Sequence, residues 1–167
     1  PRRLDFQRPL FLQQERRLTA AERGTAMHLV MQYLELGGPD PEEQVRRLTG
    51  RRLLTPQQAE AVDMERIRAF LATPLAQEIR QARQVWREYR FALLMPAALY
   101  DPAAEGEKLM LQGVVDCAFR TEEGLVVVDF KTDRLAPGEE PQRAEEYRPQ
   151  LEAYAQALER VMEEKVC

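Results

Sequence analysis

The stretch GVVDCAFRTEEGLVVVDFKTD, residues 113–133, reads as two apolar strands joined by a polar turn. Asp116 interrupts the first strand, and Asp129 and Lys131 interrupt the second. Charge in a core strand is costly unless it is paired or bound to a metal. Side chains alternate along a strand, so Asp129 and Lys131 face the same way, about 7 Å apart at Cα. The place of Asp116 depends on hairpin register. A four-residue turn, TEEG (121–124), pairs Arg120 with Leu125 and sets Asp116 opposite Asp129. A two-residue Glu123-Gly124 turn sets it opposite Lys131. Both registers gather the three charges on one face, and a slip of one residue would send Asp116 to the other.

Two carboxylates on one face repel each other, and a hard divalent cation relieves that repulsion. Mg²⁺ takes few carboxylates and keeps waters and phosphate oxygens as its remaining ligands. Bound water becomes easier to deprotonate and a phosphoryl oxygen is polarised. A lysine beside it can orient the attacking water or counter charge in the transition state. These are the requirements of phosphodiester hydrolysis. An Asp-x-Lys ion pair on a half-exposed sheet uses the same residues, and these three alone leave both readings open.

The elements that must position these groups are legible from caps and periodicity. Thr19 and Glu22 form a capping-box pattern ahead of a helix to about Leu36, closed by Gly37-Gly38, with Met27, Val30, Met31 and Leu34 at helical spacing. Asp40-Pro41 opens a second helix, Thr55-Pro56 a third to about Leu71, and Thr73-Pro74 a fourth. Strands are expected over 85–95, 109–119 and 125–130, with polar loops at 101–108 and after the third strand. A closing helix carries Tyr147, Leu151, Tyr154, Leu158 and Val161 on one stripe, with Pro149 in its first turn or kinking it. The order helices, antiparallel strands, helix gives an α+β fold with one sheet flanked by helices.

With 167 residues, 44% hydrophobic and 31% charged, the chain has the size and composition of one globular domain. No apolar run is long enough to span a bilayer, and the charged N-terminal stretch lacks a signal peptide's pattern, so a cytoplasmic setting is expected. Two cysteines without a CxxC argue against a disulfide framework, a Cys-rich zinc site or an iron–sulfur cluster; Cys117 is expected to be a small buried residue. Net charge is −4, unevenly spread. Residues 1–100 hold 16 Arg, no Lys and 12 acids, a balance of +4, and residues 101–167 hold 8 basic and 16 acidic residues, a balance of −8. The overall charge gives no support to tight, unaided nucleic-acid binding. Pro1 is not an initiator methionine, and the last helix is expected to run almost to Cys167. The chain is therefore expected to be a piece of a longer polypeptide, forming a single domain with a helical part over about 1–84 and a catalytic sheet and helix over about 85–167.

Five pieces stand in order: R-G-T-x-x-H (Arg23–His28), a strand carrying Glu88, G-V-V-D (Gly113–Asp116), D-F-K-T-D (Asp129–Asp133) and Q-L-x-x-Y (Gln150–Tyr154). In that order and at those separations the sequence resembles the RecB-type nuclease domain of the PD-(D/E)XK superfamily. Within it the likeness is to the C-terminal nuclease domain of AddA-type subunits of bacterial helicase–nucleases. The resemblance implies a restriction-endonuclease-like core with a mixed, mainly antiparallel sheet. It implies that His28, the only histidine, binds metal with Asp116, Asp129 and the Phe130 carbonyl. One nitrogen ligand admits Mn²⁺ beside Mg²⁺. Lys131 matches the catalytic lysine, and Gln150 and Tyr154, four apart on one helix face, help hold the lysine or the DNA phosphate. Glu88 matches an acidic position whose role stays open: an acid behind the metal ligands, a ligand to a second metal or an exposed strand residue. Arg23 and Thr25 are candidate phosphate contacts. Phe130 stands where the family often has Tyr, which removes no catalytic atom. The cysteines that flank iron–sulfur relatives are absent.

The implied function is a metal-dependent deoxyribonuclease of a helicase–nuclease acting in double-strand break repair and recombination. Its implied partners are DNA, single-stranded, the helicase region of the same polypeptide and an AddB-type subunit, with no membrane. A catalytically inactive docking module and a stand-alone restriction-type endonuclease are the alternatives. The intact Asp116, Asp129, Lys131 and His28 weigh against the first, and His28 with the Gln150/Tyr154 pair against the second.

Overall fold

Short-range capping chemistry shapes the N-terminal half. The computed structural model describes residues 18–99, 101–133 and 135–167; the charged stretch 1–17, counted above with the helical part, lies outside the described residues. Helix α1 (Ala20–Tyr33) opens on the expected capping box: Thr19 Oγ1 accepts from the Glu22 amide, and the Glu22 carboxylate accepts from the Thr19 amide at 2.7 Å. It stops at Tyr33 rather than near Leu36, because Leu34 turns to an extended backbone and buries its side chain. Helix α2 (Pro41–Gly50) starts at the Asp40 cap with Pro41 in its first turn. The single helix expected over 56–71 is two, α3 (Pro56–Glu60) and α4 (Met64–Leu71). Between them Val62 buries its side chain, and Asp63 restarts the helix by accepting from the Arg66 amide. Helix α5 (Pro74–Gln81) follows the Thr73 cap.

Three antiparallel strands follow, β1 (Val85–Pro96), β2 (Lys108–Arg120) and β3 (Leu125–Val128), in the order β1-β2-β3. Arg120 pairs with Leu125, so the four-residue TEEG turn is the one formed and the two-residue alternative is excluded. The turn is closed by the Thr121 amide and hydroxyl, which donate to the Gly124 carbonyl at 2.8 and 2.9 Å. Helix α6 (Glu140–Met162) begins well before Pro149, which therefore lies inside it. The expected run of this helix almost to Cys167 is not seen. Glu163 adopts a left-handed conformation (φ 55°), and the last residues turn back along β3. There Leu125 donates to the Lys165 carbonyl and Cys167 donates to the Leu125 carbonyl, both at 2.8 Å, in a parallel bridge. The bridge lies outside the three strands, whose own pairings are antiparallel.

Helices cover both faces of the sheet. Ala26, Val30, Met31, Val45, Leu48 and Ile67 form the core of the helical half. Cys117 and Phe119 pack with Ile79 of α5 on one face of the sheet, and Phe91, Val115 and Ala118 pack with Ala157 and Leu158 of α6 on the other. Cys117 is the small buried residue expected, its thiol pushed up from its ordinary value chiefly by burial. Fully burying a side chain such as Phe119 contributes about 1.5–3 kcal/mol.

The face alternation slips by one residue in the middle of β1 and β2. Val115 faces α6, yet Cys117, two residues on, faces α5; Trp86 and Tyr89, three apart, share the α6 face. The slip sits where Glu88 stands opposite Asp116. The ladder steps from Arg87–Cys117 to Tyr89–Val115 across that position, and Glu88 has φ +50°. Such a backbone in a non-glycine residue costs of order 1–3 kcal/mol and concentrates at functional sites. Among the described residues no helix is long and apolar enough to cross a membrane.

Candidate active site

Asp116 occupies the slip in β2, where its carboxylate leaves the regular pleat. Its Oδ2 accepts from the Phe130 amide at 2.7 Å. That bond takes the Phe130 N–H away from the β2–β3 ladder, whose last pair is Cys117–Val128. Asp129 and Lys131, expected inside the strand, lie beyond it, on a segment that follows β3 without ladder partners. The Phe130 ring anchors this segment edge-on against Phe70, with centroids 5.3 Å apart, and lies below the Arg87 guanidinium.

Helix α1 brings His28 to the same place. His28 Nδ1 lies 3.7 Å from Asp116 Oδ1. Glu88 joins them: donor atoms of His28, Glu88 and Asp116 all lie within 4.8 Å of one another. The resemblance leaves Glu88 open, and its position opposite Asp116 puts its carboxylate in this group. Burial pushes the Asp116 carboxyl above its ordinary value. The Phe130 N–H and His28 oppose that shift, and the neighbouring Asp129 reinforces it.

Asp129 stands outside the trio and pairs with Lys131, whose Nζ is 2.5 Å from Asp129 Oδ2. Their contact is an ion pair without hydrogen-bond geometry, so the buried oxygen has a counter-charge but no directed hydrogen bond. Lys131 donates to Gln150 Oε1 at 3.1 Å, and Gln150 Nε2 donates to Tyr154 Oη at 2.8 Å. Gln150 and Tyr154 do share one face of α6, and the amide is turned so that its oxygen meets the lysine. The Tyr154 ring packs edge-on to Phe91, 5.7 Å between centroids. Gly113 permits this: a Cβ there would meet Phe91 at 2.8 Å and Tyr154 at 3.0 Å.

Arg23 and Thr25 are not drawn into the carboxylate group. The Arg23 guanidinium donates to the Leu18 carbonyl at 3.1 Å and the Thr25 hydroxyl to the Ala21 carbonyl at 3.0 Å. Both border a cleft of about 570 Å³ that reaches Arg66, Thr132 and Asp133.

The donor set fits a hard divalent cation. Asp116 has a charge that burial disfavours, Asp129 has a buried oxygen without a directed hydrogen bond, and an imidazole and a third carboxylate stand within reach. A cation held by His28, Glu88 and Asp116 would satisfy that group together.

Several contacts around Lys131 are not visible in the sequence. The ammonium lies 4.4 Å from the centre of the Tyr147 ring, and the Tyr147 hydroxyl donates to Asp133 Oδ2. The sequence puts Tyr147 only on an apolar stripe, although its spacing of three from Gln150 and seven from Tyr154 sets it on their face. Arg66, on α4, donates to the Thr132 and Asp133 carbonyls at 3.2 and 3.0 Å; nothing local in the sequence signals that.

The sequence matches the PD-(D/E)XK nuclease superfamily over residues 1–166. It is similar to the A subunit of the ATP-dependent helicase/nuclease of Acetivibrio thermocellus, 44% identical over 164 residues that cover 95% of this chain and 13% of that protein. The protein of the same name from Desulforudis audaxviator is 40% identical over 99% of this chain and 14% of its own length. That from Geobacillus thermodenitrificans is 41% identical over 93% of this chain and 14% of its own length. The chain thus spans about a seventh of the length of these relatives.

Proposed function

The chain belongs to the PD-(D/E)XK nuclease superfamily, and from that premise we propose that it is a metal-dependent deoxyribonuclease domain hydrolysing phosphodiester bonds of single-stranded DNA. One observation carries the reading: donor atoms of His28, Glu88 and Asp116 converge within 4.8 Å, beside the buried Asp129–Lys131 pair. His28, Asp116 and Asp129, with the Phe130 carbonyl, would hold Mg²⁺ or Mn²⁺, and Glu88 is close enough to join them. A cation held there supplies an acidified water and a polarised phosphoryl oxygen.

The remaining roles belong to the protein. Lys131 directs an N–H at the attacking water or at a non-bridging phosphate oxygen. Gln150 holds the ammonium through Oε1, and Tyr154 fixes which end of the amide faces it. The Phe130 N–H keeps the Asp116 carboxylate turned into the site. The products are a 5′-phosphate and a 3′-hydroxyl.

By analogy with the helicase/nuclease relatives, residues 1–167 form one nuclease domain of a longer cytoplasmic polypeptide. Its helicase region, with an AddB-type partner, would deliver the strand during double-strand break repair and recombination. Delivery by a motor accounts for a nuclease domain with a net negative charge. The test is degradation of single-stranded DNA with Mg²⁺ or Mn²⁺ by wild type and Asp129→Ala. Loss of cleavage in the variant supports the reading, and equal activity in the two ends it.

A further inference from the structure

We propose that Tyr147 and Asp133 are positioning residues that aim Lys131 at the reacting phosphate; this rests on the assignment of Lys131 as the residue acting on the attacking water. The catalytic segment poses a mechanical problem. Lys131 lies beyond Val128, the last residue of β3 with a ladder partner. A lysine side chain with four rotatable carbons on an unpaired strand end is free to wander. Side chains from two helices replace the missing ladder.

From α6, the Tyr147 ring lies under the ammonium at 4.4 Å, a cation–π distance. The Tyr147 hydroxyl donates to Asp133 Oδ2, and Arg143 Nε donates to the same oxygen at 3.0 Å. Asp133 is two residues beyond the lysine on the same segment, so one tyrosine grips that segment at both positions. From α4, Arg66 holds the main chain at Thr132 and Asp133. Tyr147 and Gln150 are neighbours on one helix face, so ring and amide confine the ammonium together. The lysine has three N–H groups. Gln150 engages one, Asp129 lies close as a counter-charge without a directed hydrogen bond, and the ring restrains the head without needing a directed donor. A donor is thereby left for water or phosphate.

The sequence has only three lysines, Lys108, Lys131 and Lys165, so the lysine side-chain signals of isotope-labelled, metal-free protein are few enough to resolve. The Lys131 ε-protons are expected upfield of the other two through the Tyr147 ring current. That shift should vanish in Tyr147→Leu and persist in Tyr147→Phe, with Lys108 and Lys165 unmoved as the check on folding. In cleavage of single-stranded DNA, Tyr147→Leu should lower kcat about ten- to a hundredfold with KM within about twofold, the signature of lost alignment rather than lost binding. Tyr147→Phe should recover most of that loss, and Asp133→Asn, which weakens the grip on the segment, should fall between the two. An unshifted Lys131 signal in wild type, a shift that survives Tyr147→Leu, or wild-type kcat in Tyr147→Leu overturns the inference. If wild type shows no Asp129-dependent cleavage, the nuclease reading fails instead, and the lysine spectrum still decides whether Tyr147 holds Lys131.

Discussion

Replacing Gly113 by alanine should weaken both the fold and the site, although Gly113 touches no substrate. In β2 it pairs with Phe91, and its missing side chain is the space into which Phe91 and Tyr154 pack. An added Cβ would sit 2.8 and 3.0 Å from two atoms of the Phe91 ring and 3.0 Å from the Tyr154 ring. Such separations require movement. Phe91 is only 6% exposed, wedged against Val115, Ala157 and Leu158, so it cannot retreat without disturbing that cluster. Overpacking of this kind costs about 1–3 kcal/mol. For a chain of this size the melting temperature should fall by about 2–12 °C. If Tyr154 yields instead, it carries the Gln150 amide with it, and the amide holds Lys131. An alignment loss of about tenfold or more in kcat is then expected. Thermal denaturation and single-stranded DNA cleavage, measured on wild type, Gly113→Ala and Gly113→Ala with Phe91→Leu, check both branches. The double variant opens space for the new methyl and should recover part of the loss. A Gly113→Ala protein with wild-type melting temperature and wild-type cleavage would refute the argument.

Three further outcomes follow from the same geometry. Metal-free Asp116→Asn should melt higher than wild type at pH 7 while losing cleavage. The Asp116 carboxyl is raised by burial, so its favourable contribution is complete below the unfolded value and is lost as pH rises through the folded one. Melting in chelator at pH 3 and pH 7 should therefore show the gap mainly at the higher pH. Asp133 has the opposite sign: the Tyr147 hydroxyl and then Arg143 hold its carboxyl below the ordinary value of 3.8. Its contribution is present above that value and is lost as pH falls through the lower folded one, so the deficit of Asp133→Asn against wild type should shrink below about pH 4. Gly124→Ala should cost about 1–3 kcal/mol in denaturant unfolding, because φ is +142° and a Cβ would lie 2.5 Å from the Lys165 carbonyl oxygen.

The parts legible in the sequence are those with short-range causes. Thr19 with Glu22, Asp40-Pro41, Thr55-Pro56 and Thr73-Pro74 start helices because a cap bonds an amide two or three residues away, whatever the rest of the chain does. The three strand segments are equally visible, since β-branched and apolar runs bounded by polar loops carry their own signal. The break at Val62-Asp63 is not, because burial of Val62 depends on the other helices. The early start of α6 and the return of Lys165–Cys167 to β3 are hidden for the same kind of reason: both depend on neighbours distant in the chain.

The candidate site divides along the same line. Strand alternation singles out Asp116, Asp129 and Lys131 and leaves a metal site and an ion pair both open, whereas His28, Gln150 and Tyr154 are marked only by the order of motifs that carries the family resemblance. Hairpin register stays open between two turns, since local sequence cannot weigh a four-residue turn against a two-residue one without the strands' partners. Only the tertiary structure chose TEEG, slipped the pleat at Glu88 and Asp116, and put Lys131 beyond the ladder. Only it formed the Asp129–Lys131 ion pair that the sequence leaves open, and set Tyr147 beneath the ammonium. Those are decisions of packing between α1, α4, α6 and the sheet, and their energies arise from contacts that no local stretch of the sequence contains.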